Sequence, residues 1–351
     1  MASQNFVKKL GFGSKGYSQL TSDTNFNSIL LTGGSIDISK QHKRIRNITG
    51  LDLPILKIGE SRSSLKKLEE ISHSLIDQKI NRLIVIGGGS IIDFAKRIHI
   101  NLINDNHGYK NELVVLPSRI GSGAESSMTS IMNLHLKKSI EVDSRYMPDT
   151  VIYDLDLFDT LSPIDLFVGS LDALTHLIES TNSFLSHAFV DFLAVSSLKR
   201  FLDNIDKCDF KTPNKKCLIE LCILSFNGGL AQNNAGAGIC HSLSHSTEEI
   251  LNISHQEAVG IFLKPSILFM AEYYSDSFEL FDQEDIKKII KYTENIENCN
   301  LPMDFQKLVS KPKQLKKIID KAQNDPCWKL MKKRVNKETL LDYFTEEYEL
   351  N

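Results

Sequence analysis

The stretch Arg82-Leu-Ile-Val-Ile-Gly-Gly-Gly-Ser-Ile-Ile-Asp-Phe-Ala-Lys96 constrains the fold more than any other. A short apolar run suits a strand covered on both faces, and three glycines then turn the chain into a helix. The same pattern recurs nearby. Ser28–Thr32, an extended run within Leu51–Ile58, Glu112–Pro117 and Thr150–Asp154 read as strands, and Leu65–Ile80 has the three-to-four apolar spacing of a helix. This alternation predicts an α/β, Rossmann-like parallel sheet covered on both faces, spanning residues 1–160. From Ser162 the texture changes. Pro163–Asn182, Phe184–Ile205, Lys215–Asn233, the segment around Cys240–His255, His255–Tyr274 and Gln283–Ile296 read as helices, so residues 161–351 are expected to form an all-α domain. A chain of 351 residues suits two such domains better than one core.

Charge and composition exclude several functions. A net charge of -3 gives no bulk attraction to nucleic acid or an anionic membrane. No apolar run approaches the ~18–20 residues of a membrane span. The start, MASQNFVKKLGFGSKG, lacks an apolar signal-peptide core, so a cytoplasmic protein is expected. The six cysteines are scattered without a CxxC pair, which predicts reduced thiols. The basic runs Lys40–Arg46 and Lys311–Lys317 read as solvated faces.

Four segments carry chemistry. Gly87, Gly88, Gly89 and Ser90 lie between a strand and a helix, where backbone can approach a phosphate and free N–H groups can meet it; a tight turn without a ligand would look the same. Leu116–Glu125 (LPSRIGSGAE) sets Ser118 and Ser122 at the end of another strand, the edge where open α/β sheets bind ligands. Asp172, His176 and Glu179 share one helical stripe. CHSLSHSTEEILNISH, Cys240–His255, holds three of the ten histidines, with His241 and His245 on one face and His255 opening the next element. An Asp with two or three imidazoles suits a borderline cation, Zn²⁺ or Fe²⁺, although a cap and core histidines explain some of these residues individually.

In order along the chain, GGGSIIDFAK (Gly87–Lys96), PSRIGSGAE (Pro117–Glu125), PDTVIYDLDL (Pro148–Leu157), SLDALTHLIES (Ser170–Ser180) and GAGICHSLSH…SHQEA (Gly236–Ala258) resemble the iron-containing alcohol dehydrogenase family, whose fold is dehydroquinate synthase-like. The resemblance implies a nicotinamide-binding first domain and a helical metal-binding second domain. It implies that Asp172, His176, His241 and His255 hold one divalent metal, and that His245 serves as a catalytic histidine beside the nicotinamide. It assigns cofactor contacts to Gly87, Gly88, Gly89, Ser90, Asp93, Ser118 and Ser122, and ribose contact to Lys138. After the first strand, Gly33, Gly34 and Ser35 precede any acid, and Lys40 and Lys43 follow. That pattern leaves room for a 2′-phosphate, so NADPH is favoured over NADH.

The expected reaction is reversible hydride transfer between NAD(P)H and a small aldehyde or alcohol, with Fe²⁺ or Zn²⁺ as Lewis acid and no nucleic-acid or membrane partner. A homodimer is the expected assembly. Several residues depart from the family pattern. Ser118 and Arg119 replace threonines, Gln256 replaces a glycine after His255, Gly59–Ser64 lacks an Asn-Pro, and the C-terminal region is shortened. Arg119 and Gln256 point toward a polar or anionic aldehyde, for example a phosphonoacetaldehyde-like one. The alternatives are a dehydroquinate synthase-like cyclase or lyase and an inactive metal- or nucleotide-binding homologue.

Overall fold

The computed structural model describes residues 6–20, 26–34, 37–59, 64–105, 110–134, 137–274, 278–295 and 305–349. They form two compact units, Met1–Leu161 and Ser162–Asn351.

The first unit contains strands β1 (Lys9–Phe12), β2 (Ser28–Thr32), β3 (Ile55–Lys57), β4 (Arg82–Gly87), β5 (Glu112–Pro117), β6 (Thr129–Leu134), β7 (Lys137–Val142) and β8 (Thr150–Tyr153). Its helices are α1 (Gly13–Tyr17), α2 (Ser39–Thr49), α3 (Leu65–Asp77) and α4 (Gly89–Asp105). Six strands make a parallel sheet in the order β1-β8-β5-β4-β2-β3. Alternation along the strands divides the core. Ile29, Leu31, Leu83, Val85, Leu113 and Val115 pack with residues of α3 and α4 on one face. Leu30, Ile84, Ile86, Val114, Leu116 and Ile152 pack on the other with Tyr17, Ile45 and Leu157. Both faces are therefore apolar, which is why the central strands read as unbroken hydrophobic runs.

Buried cations in this unit are paired. Arg82 and Glu112 are register partners on β4 and β5, and Nε donates to Oε2 at 2.6 Å. The antiparallel ribbon β6–β7 is fastened to α4 by Arg97, whose guanidinium donates to Ser130 Oγ at 3.0 Å and Ser139 O at 2.8 Å. The basic run at Lys40–Arg46 is part of α2. Arg44 clamps Asp154 at 2.6 and 2.7 Å and also bonds Asp156, so this residue serves the fold rather than a solvated face.

The second unit is helical: α5 (Pro163–Thr181), α6 (Ala188–Ile205), α7 (Lys215–Ala235), α8 (Ile239–Leu251), α9 (His255–Tyr273), α10 (Gln283–Thr293), α11 (Phe305–Val309), α12 (Pro312–Ala322), α13 (Pro326–Leu330) and α14 (Lys337–Glu349). Helix α5 is its beam. Pro163 at the first position and a reciprocal Ser162–Asp165 capping box start it, and every residue from Leu166 to Thr181 is buried. Its hydroxyls turn back on the helix: Ser170, Thr175, Ser180 and Thr181 donate to carbonyls three or four residues earlier. Against α7 the approach is close, because a Cβ added at Gly228 would stand 2.7 Å from Ala173 O.

The thiol expectation needs one correction. Cys208 and Cys217 are paired in a disulfide across the α6–α7 connection, their Cα atoms 5.3 Å apart. The turn folds back on itself and brings together two cysteines whose nine-residue separation is no recognised motif. Cys222, Cys240 and Cys327 are in no disulfide, and Cys299 lies outside the described residues. No helix among the described residues is long and apolar enough to cross a membrane.

Two stability predictions follow from this packing. Gly228→Ala should destabilise the protein by roughly 1–3 kcal/mol in denaturant unfolding, despite alanine's better helix propensity, because backbone must move. An unchanged midpoint would refute the close α5–α7 contact. His99, buried in α4, is pulled down to about 4 by burial, with Asp149 opposing. The unfolded imidazole titrates near 6.5, so between those values only the unfolded chain takes the proton. Stability attributable to His99 is complete above pH ~6.5 and falls by roughly 3 kcal/mol as pH drops toward 4. The unfolding free energy of His99→Leu minus that of the wild type should grow over this window; a pH-independent difference would overturn the assignment.

Candidate metal centre and dinucleotide loops

Helix α5 places Asp172 and His176 on one face of its buried core, and both are at most 2% exposed. Helix α8 brings in His241, which is 1% exposed, and α9 opens with His255. The four side chains converge. His176 Nε2, His241 Nε2 and His255 Nε2 lie 3.7, 3.5 and 3.6 Å from Asp172 Oδ1. Donor atoms of Asp172, His176 and His241 all fall within 4.8 Å of one another.

Neither oxygen of Asp172 has a hydrogen-bond partner, and neither does His241 Nε2, although all three atoms are fully buried. A bare carboxylate in the interior is costly unless a cation completes it. Tetrahedral coordination with bonds near 2.1 Å separates neighbouring ligand atoms by about 3.4 Å. The three nitrogen–oxygen spacings fit that edge, and one carboxylate with three imidazoles is a donor set for Fe²⁺ or Zn²⁺.

Burial works against the Asp172 carboxylate, but the imidazoles of His176 and His255 hold it well below the ordinary carboxylate range. Burial pushes His176 down to about 3, so its imidazole is neutral with a free lone pair. His255 is pushed up to about 10: burial opposes, and the carboxylates of Asp172 and Glu248 prevail. A divalent cation entering this cluster would replace imidazole protons.

Three carboxylates stand behind three of the histidines. Glu179 of α5 meets His241 Nδ1 at 2.6 Å. It also accepts backbone N–H bonds from Gly238 at 2.7 Å, Cys240 at 2.5 Å and His241 at 3.4 Å. The N-terminus of α8, whose own cap residue Gly238 has no side chain, is thus capped by an anion from another helix. Glu248 meets His255 Nδ1 at 2.6 Å, and Asp325 meets His245 Nδ1 at 2.9 Å. The stripe on α5 made Glu179 visible in sequence. Glu248 could have been found three residues after His245 on the same helical face, whereas Asp325, eighty residues away, had no local sign.

His245 does not point at Asp172 as the other three do; its ring stacks on His255 at 5.3 Å. Burial lowers its pKa, and the hydrogen bond to Asp325 opposes the shift.

In the first unit the expected cofactor residues gather at one sheet edge. Gly33 and Gly34 follow β2, Gly87–Ser90 join β4 to α4, and Ser118 and Ser122 follow β5. These three parallel strands are neighbours, so their C-terminal ends share an edge. The loops touch: Ser118 N–H donates to Gly87 O at 3.0 Å, and a Cβ at Gly89 would stand 2.8 Å from Ser122 Oγ. A Cβ at Gly88 would stand 3.2 Å from Arg119 Cδ, and one at Gly34 would stand 3.7 Å from Gly59 Cα.

Of the other expected contacts, two are engaged within the protein and two lie outside what the structure describes. Asp93 is committed internally, its Oδ2 accepting from Ile131 N–H at 3.1 Å and its Oδ1 3.3 Å from Lys96 Nζ. That carboxylate ties α4 to β6. Lys40 is engaged with Asp156 at 3.0 Å. Lys138 lies in β7 opposite Asn133, and its side chain is outside what the structure describes. Ser35 is also outside the described residues.

The family described as iron-containing alcohol dehydrogenase matches residues 9–155, and its C-terminal part matches residues 167–348. The chain belongs to this family. Its α/β sheet unit and helical unit are the fold of solved relatives: an iron-containing alcohol dehydrogenase from Thermococcus thioreducens aligns with TM-score 0.81 at 19% identity, over 99% of this chain and 100% of that one. Among curated proteins, 4-hydroxybutyrate dehydrogenase of Clostridium kluyveri is 28% identical over 70% of this chain and 67% of its own length. An NADPH-dependent butanol dehydrogenase of Clostridium saccharobutylicum is 28% identical over 53% of this chain and 52% of its own. The matched stretch thus spans about half the length of the latter relative. Membership makes this chain a member of a family of oxidoreductases acting on CH–OH groups.

Glu179 yields the prediction here. Glu179→Ala should strip three buried amides and one imidazole of their acceptor and lower stability by about 3 kcal/mol or more even in the metal-free protein. Thermal unfolding of metal-free protein measures this, and a wild-type midpoint would show that the α8 terminus does not depend on that carboxylate.

Proposed function

We propose that this chain is a metal-dependent aldehyde reductase and alcohol dehydrogenase that uses NADPH in preference to NADH. The observation that carries the reading is the buried carboxylate of Asp172, without a hydrogen-bond partner and facing three imidazoles at metal-ligand spacing. In this reading Asp172, His176, His241 and His255 are the protein ligands, and Gly87–Ser90, Ser118 and Ser122 receive the dinucleotide phosphates. Bound there, a divalent cation supplies Lewis acidity toward a carbonyl or hydroxyl oxygen, and the nicotinamide supplies or takes up hydride.

The chain's own residues position and protonate. Asp325 accepts from His245 Nδ1–H, which leaves Nε2 of that ring to hold the proton passed to or from the substrate oxygen. Buried surroundings at Asp172, His176 and His241 keep water from that side of the cluster.

Support for NADPH comes from β2. No acid follows it before Asp37, and that carboxylate is occupied by the Ser39 N–H at 2.9 Å. A free acid there would select the unphosphorylated ribose. The relative named for NADPH-dependent butanol oxidation agrees with this choice. For the substrate, a small aldehyde carrying an anionic group is favoured. The relative named 4-hydroxybutyrate dehydrogenase is named for a carboxylate-bearing alcohol, and the exposed Arg119 guanidinium of this chain is a cation of the kind that pairs with such a group.

The deciding experiment combines metal analysis with turnover on neutral and anionic aldehydes. Wild-type protein should hold about one Fe²⁺ or Zn²⁺ per chain and oxidise NADPH stoichiometrically with aldehyde, with NADH at least roughly tenfold poorer in kcat/KM, equivalent to about 1.4 kcal/mol. His255→Ala should lose metal and at least a hundredfold in kcat/KM. Full metal content and activity in that variant would refute the ligand set, and turnover without net nicotinamide oxidation would instead indicate a cyclase or lyase.

A further inference from the structure

Of the four proposed ligands, Asp172 and the three histidines around its Oδ1, His255 differs in being reachable. Asp172, His176 and His241 are 0–2% exposed, whereas the His255 side chain is 30% exposed. It is the first residue of α9, immediately after the Ser254 cap. The cap itself is fixed, since Ser254 Oγ accepts from Glu257 N–H at 3.3 Å and Glu257 Oε2 accepts from Ser254 N–H at 2.9 Å. Backbone is therefore held at this corner, and the ring's remaining freedom is rotation about its own side-chain bonds.

Glu248 restrains that rotation. It lies in the last turn of α8, before the left-handed Asn252 that ends the helix at φ 54°. Its Oε1 meets His255 Nδ1 at 2.6 Å, bridging the corner between α8 and α9. With Nδ1–H donated to Glu248, Nε2 is the ring atom that faces Asp172 Oδ1 and that a cation would take in place of its proton. An imidazole ligand held in this way keeps both its tautomer and its ring orientation, and loss of such a partner typically costs about 10–100-fold in metal affinity or activity.

We infer that Glu248 is a positioning residue that controls retention of the divalent cation by holding His255, the ligand through which the ion would exchange with solvent. The inference rests on the metal-ligand reading above. Glu179 is the poorer probe, because its carboxylate also holds three amides of the α8 terminus.

The test uses full-length wild type, Glu248→Ala, Glu248→Gln and His255→Ala, each loaded with Zn²⁺ or Co²⁺. Release of Zn²⁺ to excess chelator gives affinity and exchange rate, the visible absorption of the Co²⁺ protein reports ligand geometry, and thermal unfolding of metal-free protein reports the fold. Glu248→Ala should weaken Zn²⁺ binding 10–100-fold through faster release and shift the Co²⁺ bands, while the metal-free protein still unfolds in one cooperative transition. Glu248→Gln keeps an oxygen acceptor for Nδ1–H and should stay within a few-fold of wild type. The inference is overturned if Glu248→Ala holds Zn²⁺ as tightly and as long as wild type, or if Glu248→Gln leaks as fast as Glu248→Ala. Failure of the underlying reading looks different: wild type itself would bind neither Zn²⁺ nor Co²⁺ stoichiometrically, or His255→Ala would bind both normally.

Discussion

The helical unit is organised around one unfavourable group. A carboxylate with no exposed surface and no donor, as at Asp172, costs several kcal/mol in a protein interior if nothing compensates it. It is nonetheless set midway along α5, which is buried along almost its whole length. The neighbouring elements arrange themselves about that position. Helix α7 approaches closely at Gly228, α8 begins on the Glu179 carboxylate from the next turns of α5, and α9 begins with a residue aimed back at Asp172. The polar cost is concentrated at one point, and a cation at that point would relieve it.

Three histidines in this unit share a device. His241, His245 and His255 each present Nδ1 to a carboxylate, drawn from α5, from the turn before α13 and from α8 respectively. The same tautomer is thereby selected three times, with Nε2 left free for a ligand or a proton. What separates the roles is where Nε2 faces. In His241 and His255 it faces Asp172, whereas His245 is stacked against His255 and offset from the cluster. One set of residue types therefore fits both parts of the proposed reaction.

Much of this was legible in the chain. The central strands announce themselves as unbroken apolar runs because both sheet faces are covered, and β2 and β5 occupy the spans their sequences suggest. The edge strand β1, the ribbon β6–β7 and helix α2 were not foreseen. Helix α2 and strand β7 are rich in basic and polar residues, and all of these elements owe their conformation to partners distant in sequence, such as β8 beside β1, Arg97 between Ser130 and Ser139, or Arg44 on Asp154. For the candidate site, helical spacing exposed Asp172, His176, Glu179, His241 and His245. Asp325 reaches His245 only through tertiary folding, and the Cys208–Cys217 pair depends on the path of a turn.

The glycine triplet and the histidine segment carry unequal weight as functional evidence. Each glycine of Gly87–Gly89 has a packing reason that needs no ligand: a Cβ would strike Ile91 at 2.5 Å, Arg119 at 3.2 Å or Ser122 at 2.8 Å. Close packing of a strand, a helix and two loops would select those glycines even in a protein that bound nothing. No comparable packing reason explains Asp172, because an apolar side chain of similar size would suit a buried helix better than an unpaired carboxylate. The strained economy of the helical unit is therefore the stronger witness to function. The glycine loops gain their meaning from lying at one edge of the sheet with Ser118 and Ser122, and from a family match that extends over both units.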